Sequence, residues 1–511
     1  MSNKTTEEQV NKGLKLLVKS SFIVFIGLFL SKVLTYVYRI IIARYFGPEV
    51  YGLFSLTMMV LGWFVAISSL GLVDGLGRFI ALYRGKKEYN KIKYLLSISA
   101  IILFFSSIIA AIILFFSAEF ISINFFHNSN LIIFLKIFSF LIPILIFSNF
   151  LLCILRAFEK IAWHSFILNI LQNIMKLVVL VLFIFLGLKT TSIIFSYFLG
   201  TLIMFLAAYL VCKYKISEIF GKYKLNKKIK KKTIKNFTSY SFPLLFLSIF
   251  SLLFAWIDSF SIGYLMGVLA VGFYNAAIPI ALLMGVIPEL FGFLFSPLII
   301  RNFSQKNFKV IKELSQQVAK WIFIFNLPLF LIIILFPGAI INILFGSNYI
   351  IAENALRILI IGYFISSLSY VSGNLVGMMG KSKLILMNIV VTSIINLILN
   401  FILVPKYGIN GAAISTSIVW VILSLALLFE ANYYTKIIPL KRKLIKIFLI
   451  SLLPLFLLLL IKQFIIINLV SLILLGLLFI LSYLALIFIT GCLDKNDLMI
   501  LRSLKRRVLS Y

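Results

Sequence analysis

The chain has 511 residues, 62% of them apolar and only 12% charged, and its 48 Lys+Arg against 15 Asp+Glu give a net charge of +33. Soluble domains carry about 25% charged residues, so this chain is too apolar to cover the roughly three or four soluble domains its length implies. It reads as an integral membrane protein. Three cysteines (Cys153, Cys212, Cys492) and two histidines (His127, His164) exclude a disulfide framework and His-based metal chemistry. No cofactor or metal is expected.

Apolar runs separated by charged or Gly/Pro/Asn breaks predict an all-α membrane protein with about 14 transmembrane helices. Residues 1–19 form a polar cytoplasmic segment, and the apolar run that follows lacks a small-residue cleavage site. It reads as a retained first span, not a signal peptide. Span 1 (20–43) carries Ser31, Lys32, Thr35, Tyr36 and Arg39. Lys32 and Arg39 are seven residues apart and share a face, with Tyr36 between them. This cationic stripe suits a cavity wall; the competing reading is snorkelling to an interface, open to Arg39 near the external end and difficult for mid-span Lys32. Span 2 (50–73) ends at Asp74, read as structural. Spans 3 and 4 (94–117, 131–155) follow, with Lys136 just inside span 4 on the external side. Span 5 (162–187) holds Lys176 near mid-depth, a further cavity candidate, and span 6 is 190–212.

The segment 213–235 contains ten lysines and reads as a cytoplasmic linker resting on anionic headgroups. Span 7 (236–263) carries Asp258 near mid-depth. It could neutralise a cavity cation, couple an ion, or be a buried hydrogen-bonded acid, and the sequence does not separate these. Span 8 (268–299) holds Glu289, read as structural. Spans 9 to 12 are 318–336, 354–379, 384–404 and 408–434, with Arg357 just inside span 10. Lys136 and Arg357 suit either snorkelling or a pair at an outer mouth. Spans 13 and 14 (444–462, 465–490) and a basic tail end the chain.

With the N-terminus inside, 39 Lys+Arg fall in loops on that side and four (Arg44, Lys189, Lys406, Lys462) on the other. The positive-inside rule then puts both termini in the cytoplasm of a multi-pass cell-membrane protein. The charge reports orientation, and nucleic acid drops out as a partner.

The chain matches itself at an offset of 220–221 residues. Gly47 and Gly52 fall on Gly267 and Gly272, Lys136 on Arg357, Lys160 on Lys381, and Gly187 on Gly408. The period holds an even number of spans, so both copies enter from one side, as in parallel-repeat transporters. The expected architecture is a six-helix lobe (20–212), the Lys-rich linker (213–235), a second six-helix lobe (236–434) related to the first by a pseudo-two-fold, and two extra helices with the tail (435–511). Facing lobes would leave a central cavity. With more embedded cations than acids, such a cavity prefers an anion.

Several stretches carry a resemblance: RIIIARYFGPEVYGLFSL (39–56), GLVDGLGRFIALY (71–83), IDSFSIGYLMGVLAVGFYNAA (257–277), LFGSNYIIAENALRIL (344–359) and GKSKLILMNIVVTSIINLILNFILVPKYGINGAA (380–413). In order and spacing they resemble the multidrug/oligosaccharidyl-lipid/polysaccharide exporter superfamily, and within it the polysaccharide biosynthesis proteins or O-antigen-type flippases. The resemblance implies alternating access and a polyprenyl-diphosphate-linked oligosaccharide as substrate. SKVLTYVYR (31–39) is also similar to the first span of lipid II flippases, where basic residues hold a diphosphate. Lys32 matches such a position directly, and Arg39 matches a second with a one-residue shift. The substrate-binding set expected on these grounds is Lys32, Tyr36, Arg39, Lys176 and Asp258.

An organic-cation or multidrug antiporter of the same fold is the alternative, but it would want a carboxylate in span 1, where this chain has Lys32 and Arg39. An enzyme of lipid-linked sugars is disfavoured, because the longest external loops (118–130, 337–353) hold only one histidine and two acids. The partners expected are the lipid-linked substrate and membrane lipids, with glycan-assembly enzymes alongside a monomer.

Overall fold

The computed structural model describes residues 2–219, 221, 223–305, 307–441, 443–464 and 467–492, and every regular element among them is a helix. The chain begins with α1 (Ser2–Ser69), interrupted at Gly47, whose φ of 81° and ψ of 176° are not helical. Glycine adopts that φ without steric cost, and Pro48 behind it suits the first turn of a new helix. Next come α2 (Leu72–Gly85), α3 (Tyr89–Phe120), α4 (Asn130–Ser139), α5 (Leu141–Ala157), α6 (Ile161–Ser165), α7 (Gln172–Phe185) and α8 (Thr191–Lys215). A π-helical turn, Phe166–Leu171, connects α6 to α7. The second half comprises α9 (Lys227–Met266), α10 (Val268–Ala281), α11 (Val286–Ser304), α12 (Phe308–Leu335), α13 (Pro337–Phe345), α14 (Glu353–Met378), α15 (Ser382–Tyr407), α16 (Ile409–Thr435), α17 (Lys443–Lys462) and α18 (Leu469–Ile489).

Among the described residues twelve helices are long and apolar enough to cross a membrane, or 13 if α4 and α5, bent by 44°, make one broken span. The run Gly27–Ser69, 43 residues long and about twice the apolar thickness of a bilayer, is counted once there although Gly47 interrupts it, where the sequence reading places two spans. The Lys-rich segment is also not all linker. α9 begins at Lys227 and runs 40 residues, about 60 Å, twice the ~30 Å apolar thickness of a bilayer. Its first turns contain six of the ten lysines, and Lys230 Nζ sits 5.1 and 5.9 Å from the rings of Tyr223 and Tyr94.

The chain divides into two compact units, Met1–Ala276 with Ile389–Ala412, and Ala277–Asn388 with Ala413–Tyr511. In the first, Ile42, Leu56, Met59, Leu135, Phe138 and Leu141 are fully buried. Glycines set its closest helix approach. A Cβ on Gly52 would strike the Val268 carbonyl, and one on Gly272 the Pro48 carbonyl. In the second, α12 packs on α17 and α18 through Phe323, Leu327, Ile447, Leu458, Phe479 and Tyr483. Lys320, at the start of the expected span 9, is buried at 1% exposure and donates from Nζ to the Cys492 carbonyl at 3.3 Å. Lys446 Nζ donates to the Thr490 carbonyl at 2.9 Å. Both ammoniums meet the unpaired carbonyls at the negative end of α18.

Many large apolar side chains face outward: Phe116, Phe185, Phe456, Leu474 and Leu481 are exposed, Phe185 at 87%. In water such a surface would aggregate. In hydrocarbon it is solvated, and helices close their own backbone hydrogen bonds there.

Candidate functional site

The polar residues of span 1 divide between two adjacent faces of α1. At 100° per residue, Ser31, Thr35, Tyr38 and Ile42 form the packed face, and Lys32, Tyr36 and Arg39 lie beside it. The packed face is held to α7 and α8 by hydrogen bonds. Asn173 Nδ2 donates to Ser31 Oγ at 3.0 Å, Thr35 Oγ1 donates to Asn173 Oδ1 at 3.5 Å, and Tyr38 Oη pairs with Ser196 Oγ at 2.9 Å. These bonds fix the rotation of α1, and with it the direction of its cationic flank.

Arg39 is half-buried. Its guanidinium hydrogen-bonds the buried Tyr51 and lies close enough to Tyr197 to interact electrostatically. Lys176, 8% exposed, places Nζ 3.8 Å from the centre of the same Tyr197 ring. Lys176 contacts this tyrosine, and Arg39 lies within electrostatic range of it. Gly200 makes the room, since a Cβ there would run into Lys176 Cγ and stand 3.3 Å from the Gln172 carbonyl. Among the described residues Lys176 has neither a carboxylate partner nor a hydrogen-bond acceptor for its ammonium. Gln172, one turn before Lys176 and equally buried at 8%, has no side-chain hydrogen bond to a described residue. An uncompensated cation inside a span is costly, and an arriving anion would remove that cost with charge-assisted hydrogen bonds. Lys32 and Tyr36 are half-buried and engaged with neighbours. Lys32 stands two turns from Arg39, roughly 10 Å along the axis.

Asp258 anchors a further polar cluster in the same unit. It accepts from Tyr274 Oη at 2.6 Å, Asn400 Nδ2 at 3.0 Å and Asn396 Nδ2 at 3.3 Å. It is a buried, hydrogen-bonded acid. A polar chain approaches it from the cationic cluster. Tyr51 Oη donates to the Asn275 carbonyl at 3.0 Å, and Asn275 Nδ2 donates to Ser259 Oγ at 3.0 Å.

The two outer cations are in different surroundings. Lys136, in the last turn of α4, lies 5.5 Å from the Phe115 ring. Arg357, in the second unit, pairs with Glu353 at 2.7 Å and bonds Asn354 Oδ1 at 2.9 Å on its own helix. Charge scanning missed Tyr51, Gln172, Asn173, Tyr197, Asn396 and Asn400. The NxxxN spacing of Asn396 and Asn400 puts two amides on one face within a span and was a readable signal. It also missed Glu430, which accepts from Asn388 at 2.9 Å.

Residues 17–287 match the polysaccharide biosynthesis protein family, and residues 243–402 match the MatE family. A Shigella flexneri protein named as a putative O-antigen transporter is 27% identical over 387 residues, covering 74% of this chain and 88% of the relative. A Haloferax volcanii protein named as a probable low-salt glycan biosynthesis flippase is 24% identical over 229 residues, 44% of this chain and 48% of the relative. Among solved structures, the lipid II flippase MurJ in an inward closed conformation superposes with a TM-score of 0.73 at 20% identity, over 92% of this chain and 98% of that one. At that identity the likeness establishes a common fold.

Proposed function

From membership of the polysaccharide biosynthesis protein family, to which the chain belongs, we propose that it moves a polyprenyl-diphosphate-linked oligosaccharide from the cytoplasmic to the outer leaflet of the cell membrane by alternating access. It acts as a transporter and leaves the substrate's bonds intact. The observation that carries this reading is Lys176, a buried cation on the face of Tyr197 with no described acid or acceptor, with Arg39 in electrostatic range of the same ring. A diphosphate supplies the missing charge, and the sequence likeness to O-antigen and glycan flippases supplies the class of molecule that bears it. Lys32, Tyr36, Arg39 and Lys176 are the residues assigned to the diphosphate. Asp258, held by three donors, is assigned to the stability of its helices or to ion coupling. The MatE match allows an organic-cation antiporter, but a cation cargo would meet like charge at Arg39 and Lys176.

The test is surface glycan in a host that depends on this transporter. Lys32→Ala with Arg39→Ala should abolish the glycan while protein level and membrane insertion stay at parent values. Normal glycan export by the double variant overturns the assignment.

A further inference from the structure

Beyond the α1–α7–α8 cluster, the molecule carries another cation whose setting asks for an anion. α2 crosses α9 at very short range: a Cβ on Gly75 would strike the Ser241 hydroxyl, and one on Gly71, where φ is +66°, the Ser241 carbonyl. This crossing brings Asp74 and Arg78 of α2 alongside α9. Asp74 Oδ2 accepts from Ser248 Oγ at 3.4 Å. Arg78 places its guanidinium carbon 4.2 Å from the centre of the Tyr240 ring, and that ring is braced edge-on by Phe79 at 5.9 Å.

Asp74 and Arg78 are four apart on one helix, the spacing at which such pairs ordinarily bond. Here they do not. Among the described residues Arg78 has no ion pair and no hydrogen bond; its one contact of this kind is the tyrosine face. Arg84 on the same helix behaves differently, bonding Glu159 at 3.0 Å and the Ala157 carbonyl at 3.0 Å. A guanidinium stacked on an aromatic face is fixed in orientation and desolvated on one side, while its edge keeps paired N–H donors that match phosphate geometry. Membrane orientation by positive charge needs no such stacking.

We infer that Arg78, oriented by Tyr240, is a loading subsite for the phosphate groups of the lipid-linked substrate, at the end of the bundle that charge asymmetry assigns to the cytoplasm. The inference rests on the function proposed above and adds a step to it: the substrate is first gripped at Arg78 and then passes to Lys32, Arg39 and Lys176. A bulk anionic phospholipid presents the same phosphate chemistry, so the test separates the two sources.

The experiment uses the full chain in liposomes with a fluorescent polyprenyl-diphosphate-linked oligosaccharide. Arg78→Gln should raise the half-saturating substrate concentration roughly tenfold, with the maximal rate within roughly twofold of parent. Tyr240→Phe, which keeps the ring, should behave as parent, and Tyr240→Leu should resemble Arg78→Gln. The effect should be the same in wholly zwitterionic vesicles. An effect confined to vesicles containing anionic phospholipid assigns Arg78 to bulk headgroups and overturns the inference. An unchanged half-saturation in Arg78→Gln, with transport still lost in the Lys32/Arg39 double variant, overturns the loading subsite alone. Transport at the parent rate in that double variant overturns the underlying function as well.

Discussion

Replacing Lys176 with Met separates binding from stability, because the two should move in opposite directions. Met fills nearly the same space along Gly200 and keeps contact with the Tyr197 ring, so packing is preserved. What disappears is an ammonium that is 8% exposed and has no described acceptor or acid beside it. The effective penalty for burying such an ion is several kcal/mol. Its stacking on Tyr197 returns about 2 kcal/mol, leaving a net gain of about 1–3 kcal/mol for the variant without substrate. On the proposed assignment the same change removes a charge-assisted contact to the substrate's diphosphate, and transport should fall roughly 10- to 100-fold. Thermal unfolding of the purified protein and flipping in liposomes read the two quantities. A variant that melts earlier than parent and transports normally would show that Lys176 is a structural residue and that the anion-site argument is wrong.

Three other outcomes follow from the same structure. Outward transport of a diphosphate bearing about two negative charges should be driven by an inside-negative potential worth about 4–5 kcal/mol at 100 mV; transport that ignores a K⁺/valinomycin potential but stops with Asp258→Asn or loss of an ion gradient would replace this with antiport. Gly52→Ala and Gly272→Ala should each destabilise by about 1–3 kcal/mol, and the double variant by less than their sum, since both substitutions spread the same backbone contact; additive melting shifts would refute that coupling. Asn173→Leu should cost about 0.6–1.7 kcal/mol by releasing Ser31 and Thr35, and an unchanged melting midpoint would show that these bonds do not hold α1.

Apolar runs long enough to span a bilayer were legible because hydrocarbon demands them, and Lys32, Arg39 and Lys176 stood out because charge is rare within spans. The surroundings of those charges were less legible. Tyr197 is one aromatic among many in this chain, and only the fold shows Lys176 stacked on it with Arg39 in electrostatic range. Asn396 and Asn400 carry no charge, so a scan for ionisable residues passes over the donors that satisfy Asp258. Lys320 was passed over for another reason: it stands at the very start of an apolar run, while its burial comes from the end of α18, 172 positions away. Gly47 was visible as a break, but nothing local in the sequence shows that the helix resumes at once on both sides of it.

The π-helical turn Phe166–Leu171 has a consequence for the cation that follows it. A π turn holds one residue more than an α turn, so it acts as a one-residue insertion absorbed without breaking the helix. Everything after it, including Gln172, Asn173 and Lys176, takes its rotational phase from that extra residue. Relaxing the turn to α geometry would swing the later part of the span by about 100°, carrying Lys176 off Tyr197 and Asn173 off Ser31. The turn therefore works like a detent in a dial: the bearing of the charge is stored several residues before the charge itself, in a stretch made almost wholly of Phe, Ile and Leu.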